Sequence, residues 1–420
     1  MTTVDFAPLA RAVGRLGVRR ALRLPQPWVR AVLLGYGIPV TAAVGAALTW
    51  FRPGGFVASG DVTPFVRENL AGELFSSWNH QATGAGSSSY EIARAVEVGA
   101  IRLAELLGAS EVAGQFLLFA ACFAFAAFGA AYLAAAVVRY PAAVAAAGLL
   151  GAFNSFSLVN HPNPLPLVAV GLVGLLVGQL WRRAQGRRMS AIALAAATLP
   201  ASYVALNPPL LALVAVSVAL GAAGASLFAG AGGSRRALGL LARALPLAVL
   251  LNLWWIVPLG QLALNGSGFD FTAETDVGAW AWSHVRNSIA NVASLNAHWG
   301  WTHPEYFPYA EQLEEGPWPL LRWLLPAGAV AGVVLAGRRL RAGTLGLGLL
   351  AVTLVFLGTG LHGPLAGVNA WLYEHVPGFW LLREPVSKIG VALVLVYAVL
   401  AAVACERAID ALAQRRPALR

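Results

Sequence analysis

The sequence predicts an all-α polytopic membrane protein of about ten transmembrane helices, with interfacial helices in large outer loops. Three observations predict it. Of 420 residues, 58% are hydrophobic and only 11% are charged, and the mean hydropathy is +0.67. A soluble domain carries about 25% charged residues and could not keep this much apolar surface from water. Apolar runs of spanning length, about 20 residues, recur along the whole chain. The basic residues fall between those runs with a strong bias to one side. The net charge of +10 therefore reflects topology, and nucleic acid is excluded as a partner.

The runs lie at 28–51, 113–138, 141–159, 163–181, 190–206, 209–230, 237–263, 318–337, 343–361 and 386–409. The third to sixth are short or punctuated by Gly and Pro. The first starts near Trp28, is long enough to span, and has no small-residue cleavage site after it, so it reads as a spanning helix and not as a leader. Cys122 and Cys405 both sit inside apolar runs, so no disulfide framework is expected. The expected organisation is a cytoplasmic N-terminal segment 1–27, one transmembrane domain 28–410 and a cytoplasmic tail 411–420. No fixed-period repeat and no second soluble domain is evident.

Charge sets the orientation. With both termini cytoplasmic in a plasma membrane, 21 of 29 basic residues fall inside, and 16 of 19 acidic residues fall outside. The inside connections are short, so the positive-inside rule applies to them. The outer loops are then 52–112, 264–317 and 362–385. All seven histidines lie on or beside that outer face. The inner connections hold Arg, Gly and Ser, whereas a site needs titratable and hydrogen-bonding variety. Within the first loop, 88–107 predicts an amphipathic interfacial helix, with Ile92, Val96, Ala100, Leu103 and Leu107 on one stripe.

Four features could carry chemistry. Gly60-Asp61 lies about nine residues past the first run; a carboxylate there is solvated, caps a helix starting near Pro64, or is used. Ser77-Trp78-Asn79-His80, followed by Gly84-Ala85-Gly86, offers an aromatic face and polar groups suited to a sugar, or an interfacial tryptophan with polar neighbours. Arg383-Glu384-Pro385 with Lys388 places two cations on the side opposite the main basic bias. Lys388 faces Glu384 at i, i+4, an ordinary ion pair, and Arg suits bidentate contact with a phosphate. The second loop is aromatic, with Trp280, Trp282, His284, His298, Trp299, Trp301, His303 and Tyr306. It either packs on the membrane surface or forms a groove for sugar or lipid. Glu311, Glu314 and Glu315 read as a solvated acidic face. No metal-ligand spacing, phosphate-binding glycine loop or nucleophile elbow is present.

The ordered series of these words resembles the GT-C superfamily of polyprenyl-phosphate-sugar glycosyltransferases. It is most similar to the transmembrane region of the mycobacterial arabinofuranosyltransferase D group. The words are Gly60-Asp61, Ser77-Trp78-Asn79 with Gly84-Ala85-Gly86, Ala152-Phe153-Asn154, Asn252-Leu253-Trp254-Trp255-Ile256-Val257-Pro258, and Phe379 through Pro385 with Lys388. They span nearly the whole chain in order. The resemblance implies inverting transfer of a sugar, such as arabinofuranose, from a polyprenyl-phosphate donor to a cell-envelope glycan or glycolipid acceptor on the outer face. It implies Asp61 as general base and Arg383 and Lys388 on the donor phosphate. Trp78, Asn79, His80, Trp299, Trp301 and Glu384 are the candidate sugar and acceptor contacts. No cofactor is implied, and a divalent metal has no support because Asp61 has no adjacent carboxylate. The chain departs from the large members of the group, which carry long soluble carbohydrate-binding regions after the membrane part. The rival readings are a lipid or lipid-linked-sugar transporter, or a non-catalytic membrane scaffold.

Overall fold

The structure is a computed structural model that describes residues 27–50, 94–264, 277–302 and 314–415. Among these, every regular element is helical, and eight helices are long and apolar enough to cross a membrane. Helix α1, Trp28–Leu48, contains a π-helical turn at Leu33–Gly37. Pro39 explains the turn: it has no N–H to offer residue 35, and the N–H of Ile38 reaches the carbonyl of Leu33 instead.

The predicted amphipathic segment is a helix over its described part, α2 (Ala95–Leu106), packed along α3 (Glu111–Ala134). Of the expected stripe, Val96 and Ala100 pack against the core. Glu97, Val98 and Ala104 are buried, whereas Leu103, Leu106 and Leu107 are exposed. Gly114 of α3 comes against the backbone of Ala100 and Ile101. Backbones this close select small residues at the contact and turn the leucines outward. Glu97 is held by Arg94 at 3.2 Å and by the Tyr203 hydroxyl at 3.1 Å.

The next apolar segment is broken into α4 (Pro141–Ala152) and α5 (Ser155–Val159). Asn154 makes the break: its side-chain oxygen caps α5 at Ser157, and its amide donates to the carbonyls of Leu150 and Gly151. Helix α6 (Leu165–Ala184) is almost wholly buried and packs along α3. A methyl on Gly129 would run into the backbone of Gly171, and one on Gly174 into that of Gly129. A second broken segment follows as α7 (Ala191–Ala196) and α8 (Ala201–Val204). Asn207 then caps α9 (Pro208–Ala223), which leads to the short α10 (Ser226–Ala229).

Helix α11 (Gly233–Leu264) has Pro246 and Pro258 inside it and buried Asn252 between them. The Asn252 amide donates to Thr198 at 2.9 Å, and its oxygen accepts from the Trp255 indole at 2.7 Å. The Asn252–Trp255 word therefore ties α11 to the broken α7–α8 segment.

Short helices α12 (Ile289–Ala293) and α13 (Trp318–Leu321) precede α14 (Leu324–Leu335) and α15 (Arg341–Gly358). Helix α16 (Ala366–His375) then leads to α17 (Pro385–Arg415), whose first nineteen residues are mostly buried. Helices α4, α14 and α15 all pack on α17, and Gly332 of α14 lies against the backbone of Leu400. Helix α17 continues to Arg415, beyond the apolar stretch that hydropathy marks.

The bundle has two chemically distinct ends. At one, Arg139 binds Glu406 through its backbone N–H and at 3.2 Å through Nε, and reaches Asp410 at 3.4 Å. The Tyr140 hydroxyl donates to Asp410 at 2.8 Å. This clasp joins the α3–α4 connection to the end of α17. The other end holds the start of α17 and the aromatic loop.

Candidate functional site

The site grows from the segment that enters α17. Gly378 turns the chain with φ +80°, a 3-10 turn spans Phe379–Leu382, and Pro385 opens the helix. Proline suits a first helical position because its missing N–H would have no partner there. The carbonyls ahead of it are satisfied by side chains from elsewhere. The Tyr373 hydroxyl donates to the Leu382 carbonyl at 2.8 Å. The Arg383 carbonyl accepts from Ser283 Oγ at 2.9 Å and His284 Nε2 at 2.7 Å.

His284 is a bridge of defined tautomer. Its Nδ1 accepts from the Leu361 N–H at 3.1 Å, so the proton resides on Nε2. Burial lowers its pKa, against the opposing hydrogen bond to Arg383. A side chain at Gly360, which has φ +53°, would strike this ring. Positive φ and ring contact together require glycine there.

Three charged groups occupy the mouth that this scaffold builds. Lys388 is 3% exposed and forms an ion pair with Glu384, the pair that i, i+4 spacing allows. Burial would raise the Glu384 pKa, but the Lys388 charge and hydrogen bond, helped by His298 and Arg383, hold it below the usual carboxylate value. His298 is pushed down to about 4 by burial, with Glu384 opposing and Lys388 reinforcing. Its Nδ1 accepts from the Gly300 N–H at 3.0 Å. His298 is therefore neutral near pH 7.

Arg383 lies over the Trp280 ring at 4.0 Å and within 5.8 Å of Trp380. Trp280 and Trp282 are 6.1 Å apart, Trp282 meets Trp299 edge-on at 5.4 Å, and Trp299 stacks on His298 at 5.4 Å. The tryptophans thus form a continuous aromatic wall from Arg383 to His298. The cation sits on a π face, where desolvation strengthens the attraction.

Of the predicted site residues, Arg383, Glu384, Lys388 and Trp299 converge on this mouth. Asp61, Trp78, Asn79 and His80 lie outside the described residues, as do His303, Tyr306 and Glu311. Trp301 belongs to the 3-10 turn Trp299–Thr302, and its side chain is outside the description. Ser283 and Tyr373 were not legible in the sequence. They contact the entry segment from 100 and 9 residues away, with no local pattern to mark them. Glu314 and Glu315 are both exposed, and Glu314 also pairs with Arg286 and accepts from the Asn296 amide at 2.9 Å. No group of three or more metal-ligating side chains occurs among the described residues.

An apolar groove of about 340 Å³ begins beside this mouth at Leu382 and Leu357. It passes Ile389 and Leu213 and reaches Trp181 and Phe228, whose rings are 4.6 Å apart. Helices α9, α15 and α17 line it, with α6 behind. Its stretch of α15, Gly346 to Leu357, is about 16 Å long at helical rise, roughly half of a bilayer's hydrocarbon core. The chain matches no protein-family model, no curated protein and no solved structure.

Proposed function

We propose that the chain is a membrane glycosyltransferase that moves a sugar from a polyprenyl-phosphate donor to a glycan or glycolipid acceptor. One observation carries this reading: Arg383, set against a wall of tryptophans, directly follows Leu382, which lines an apolar groove between helices long enough to cross a membrane. A lipid phosphate sugar needs that sequence of surfaces. The prenyl tail lies in the groove from Leu382 to Phe228. The phosphate meets Arg383, and the sugar meets the wall of Trp280, Trp282 and Trp299. Lys388 is committed to Glu384, so its role on the phosphate is indirect: it keeps a carboxylate ionised beside Arg383 and sets the local field.

In this reading Asp61 is the general base. Its carboxylate takes the proton of an acceptor hydroxyl as that oxygen attacks the anomeric carbon. The bond from that carbon to the phosphate oxygen breaks, and the electron pair leaves on the phosphate. Attack opposite the leaving group inverts the centre. The Arg383 guanidinium faces the charge that develops, in a partly dehydrated mouth where it is stabilised more than in water.

The proposal includes ten crossings, with the α4–α5 and α7–α8 segments as broken spans beside the eight long helices. It places the Arg139–Glu406 clasp and both termini in the cytoplasm, and the aromatic mouth and α2 on the exoplasmic side of a plasma membrane. The test is transfer in proteoliposomes supplied with labelled polyprenyl-phosphate pentose and a glycan acceptor. Asp61→Asn is expected to abolish transfer while leaving donor binding intact. Full activity in that variant sinks the base assignment.

The length of the groove, which extends from Leu382 to Trp181 and Phe228, favours one second reading: a transporter of lipid or lipid-linked sugar. Movement of a fluorescent polyprenyl phosphate between leaflets, without any acceptor, would distinguish it. A non-catalytic scaffold would show neither transfer nor movement.

A further inference from the structure

A second cluster of charge lies apart from the mouth, where the chain enters α13 and α14. Arg286, from the connection ahead of α12, binds the carboxylate of Glu314. Arg322, between α13 and α14, approaches the other oxygen of the same carboxylate at 3.9 Å. Asn296 donates to Glu314 at 2.9 Å, and the Asn291 amide holds the Arg286 carbonyl at 3.0 Å. Among the described residues two guanidinium groups therefore share one carboxylate, and no second carboxylate pairs with either. Glu315 on the next residue is exposed, where water screens it. The Nε atoms of both arginines are buried and have no hydrogen-bond partner. Guanidinium donors left idle under cover are a cost that an oxyanion could relieve.

The surroundings say where the anion comes from. Trp318, Leu320, Leu321, Trp323 and Leu324 are all well exposed on the same short stretch as Arg322. They open the candidate span Trp318–Leu335. Large apolar and tryptophan side chains exposed at a span's end belong at a membrane interface. Phosphate groups of the bilayer lie at that depth.

We propose that Arg286 and Arg322, braced by Glu314, form a binding site for the phosphate headgroup of an anionic lipid, whose acyl chains run along the exposed face of α13 and α14. The site is independent of the transferase reading. Glu314 orients the two guanidinium groups and holds their affinity down, because it competes with the ligand's phosphate.

The test is lipid retention by the full chain, purified in zwitterionic nanodiscs doped with phosphatidylglycerol and read by native mass spectrometry. The wild-type protein is expected to retain phosphatidylglycerol over phosphatidylcholine. Arg286→Ala with Arg322→Ala is expected to lower that retention by about tenfold or more, the scale of a lost charge-assisted contact. Glu314→Gln is the decisive variant. It removes the competing charge, so retention of the anionic lipid rises above wild type. A purely structural clasp predicts the opposite, a loosened loop with unchanged or lower retention. The proposal is overturned by equal retention of the two lipids in the wild type, or by retention that fails to rise in Glu314→Gln. Inorganic phosphate is added in a parallel arm. If it displaces the lipid at millimolar concentration, the site reads free phosphate and the lipid assignment is wrong.

Discussion

The two ends of the bundle use the same ion-pair chemistry to different ends. At the arginine-rich end, Arg139 is 62% exposed, and its partner Glu406 lies 267 residues away. The pair fastens helices that are distant in sequence; its carboxylate is 6% exposed, but water and salt reach the guanidinium and weaken the attraction. At the aromatic end, Lys388 is 3% exposed, and its partner is one helical turn away. That pair joins nothing distant, yet its ammonium has been withdrawn from water. Burying charge without a tertiary return is unfavourable, and such arrangements concentrate at functional sites. The difference sets a fastening between distant helices at one end against a local, covered pair at the other.

The comparison breaks most readily at Lys388. Lys388→Ala leaves the Glu384 carboxylate enclosed without its partner, and about 3 kcal/mol of stability is expected to be lost. Thermal unfolding in detergent measures it. The double variant Lys388→Met with Glu384→Gln should recover most of the loss. Equal destabilisation in the single and double variants would show that packing, not charge, is at stake.

A smaller effect is expected in the groove. Ala392 lines it and is half-buried, so Ala392→Phe fills space without opening the core. In the transferase reading it raises KM for a polyprenyl-phosphate donor about tenfold, on the scale of roughly 1–3 kcal/mol for apolar pocket changes. The melting temperature should hardly move. An unchanged KM would place the tail elsewhere.

The mouth also gives stability a pH dependence. His298 titrates near 6.5 when unfolded but about 4 when folded. Between those values the unfolded chain binds the proton and the folded chain does not, so stability is full above 6.5 and falls as pH drops toward 4. His284, lowered in the same direction, adds to the slope. Denaturation followed across that range should show the loss, and His298→Asn should flatten it. A slope identical in the variant would remove His298 from the account. The smallest effect is at the fastening. Arg139→Ala keeps the backbone N–H that binds Glu406, so stability should fall only slightly, and less in molar salt than at low ionic strength.

The legible part of the fold is the part that solvent dictates. Long apolar runs must be helices in lipid, because only intrasegment hydrogen bonds satisfy their backbone. The eight long helices follow from this, and so do the breaks at Asn154 and Asn207, where a capping side chain ends one helix and starts the next. The Glu384–Lys388 pair was legible because its spacing is local. Partnerships across the chain were not. Nothing around Arg139 points to Glu406, and nothing around Ser283 points to the Arg383 carbonyl. The α2 stripe was legible, but its division was not: Val96 and Ala100 pack against the core, whereas Leu103 and Leu107 are exposed, because a helix that meets its neighbour backbone to backbone leaves room only for small side chains at the contact.

The account rests on Arg383 facing a lipid phosphate at the head of the groove. The most direct measurement compares Arg383→Ala with Arg139→Ala in donor-dependent transfer from polyprenyl-phosphate pentose in proteoliposomes. The expected result is a loss of about 100-fold or more in kcat/KM for Arg383→Ala, the scale of one removed charge-stabilising donor, with Arg139→Ala close to wild type. Equal activity in the two variants would contradict it.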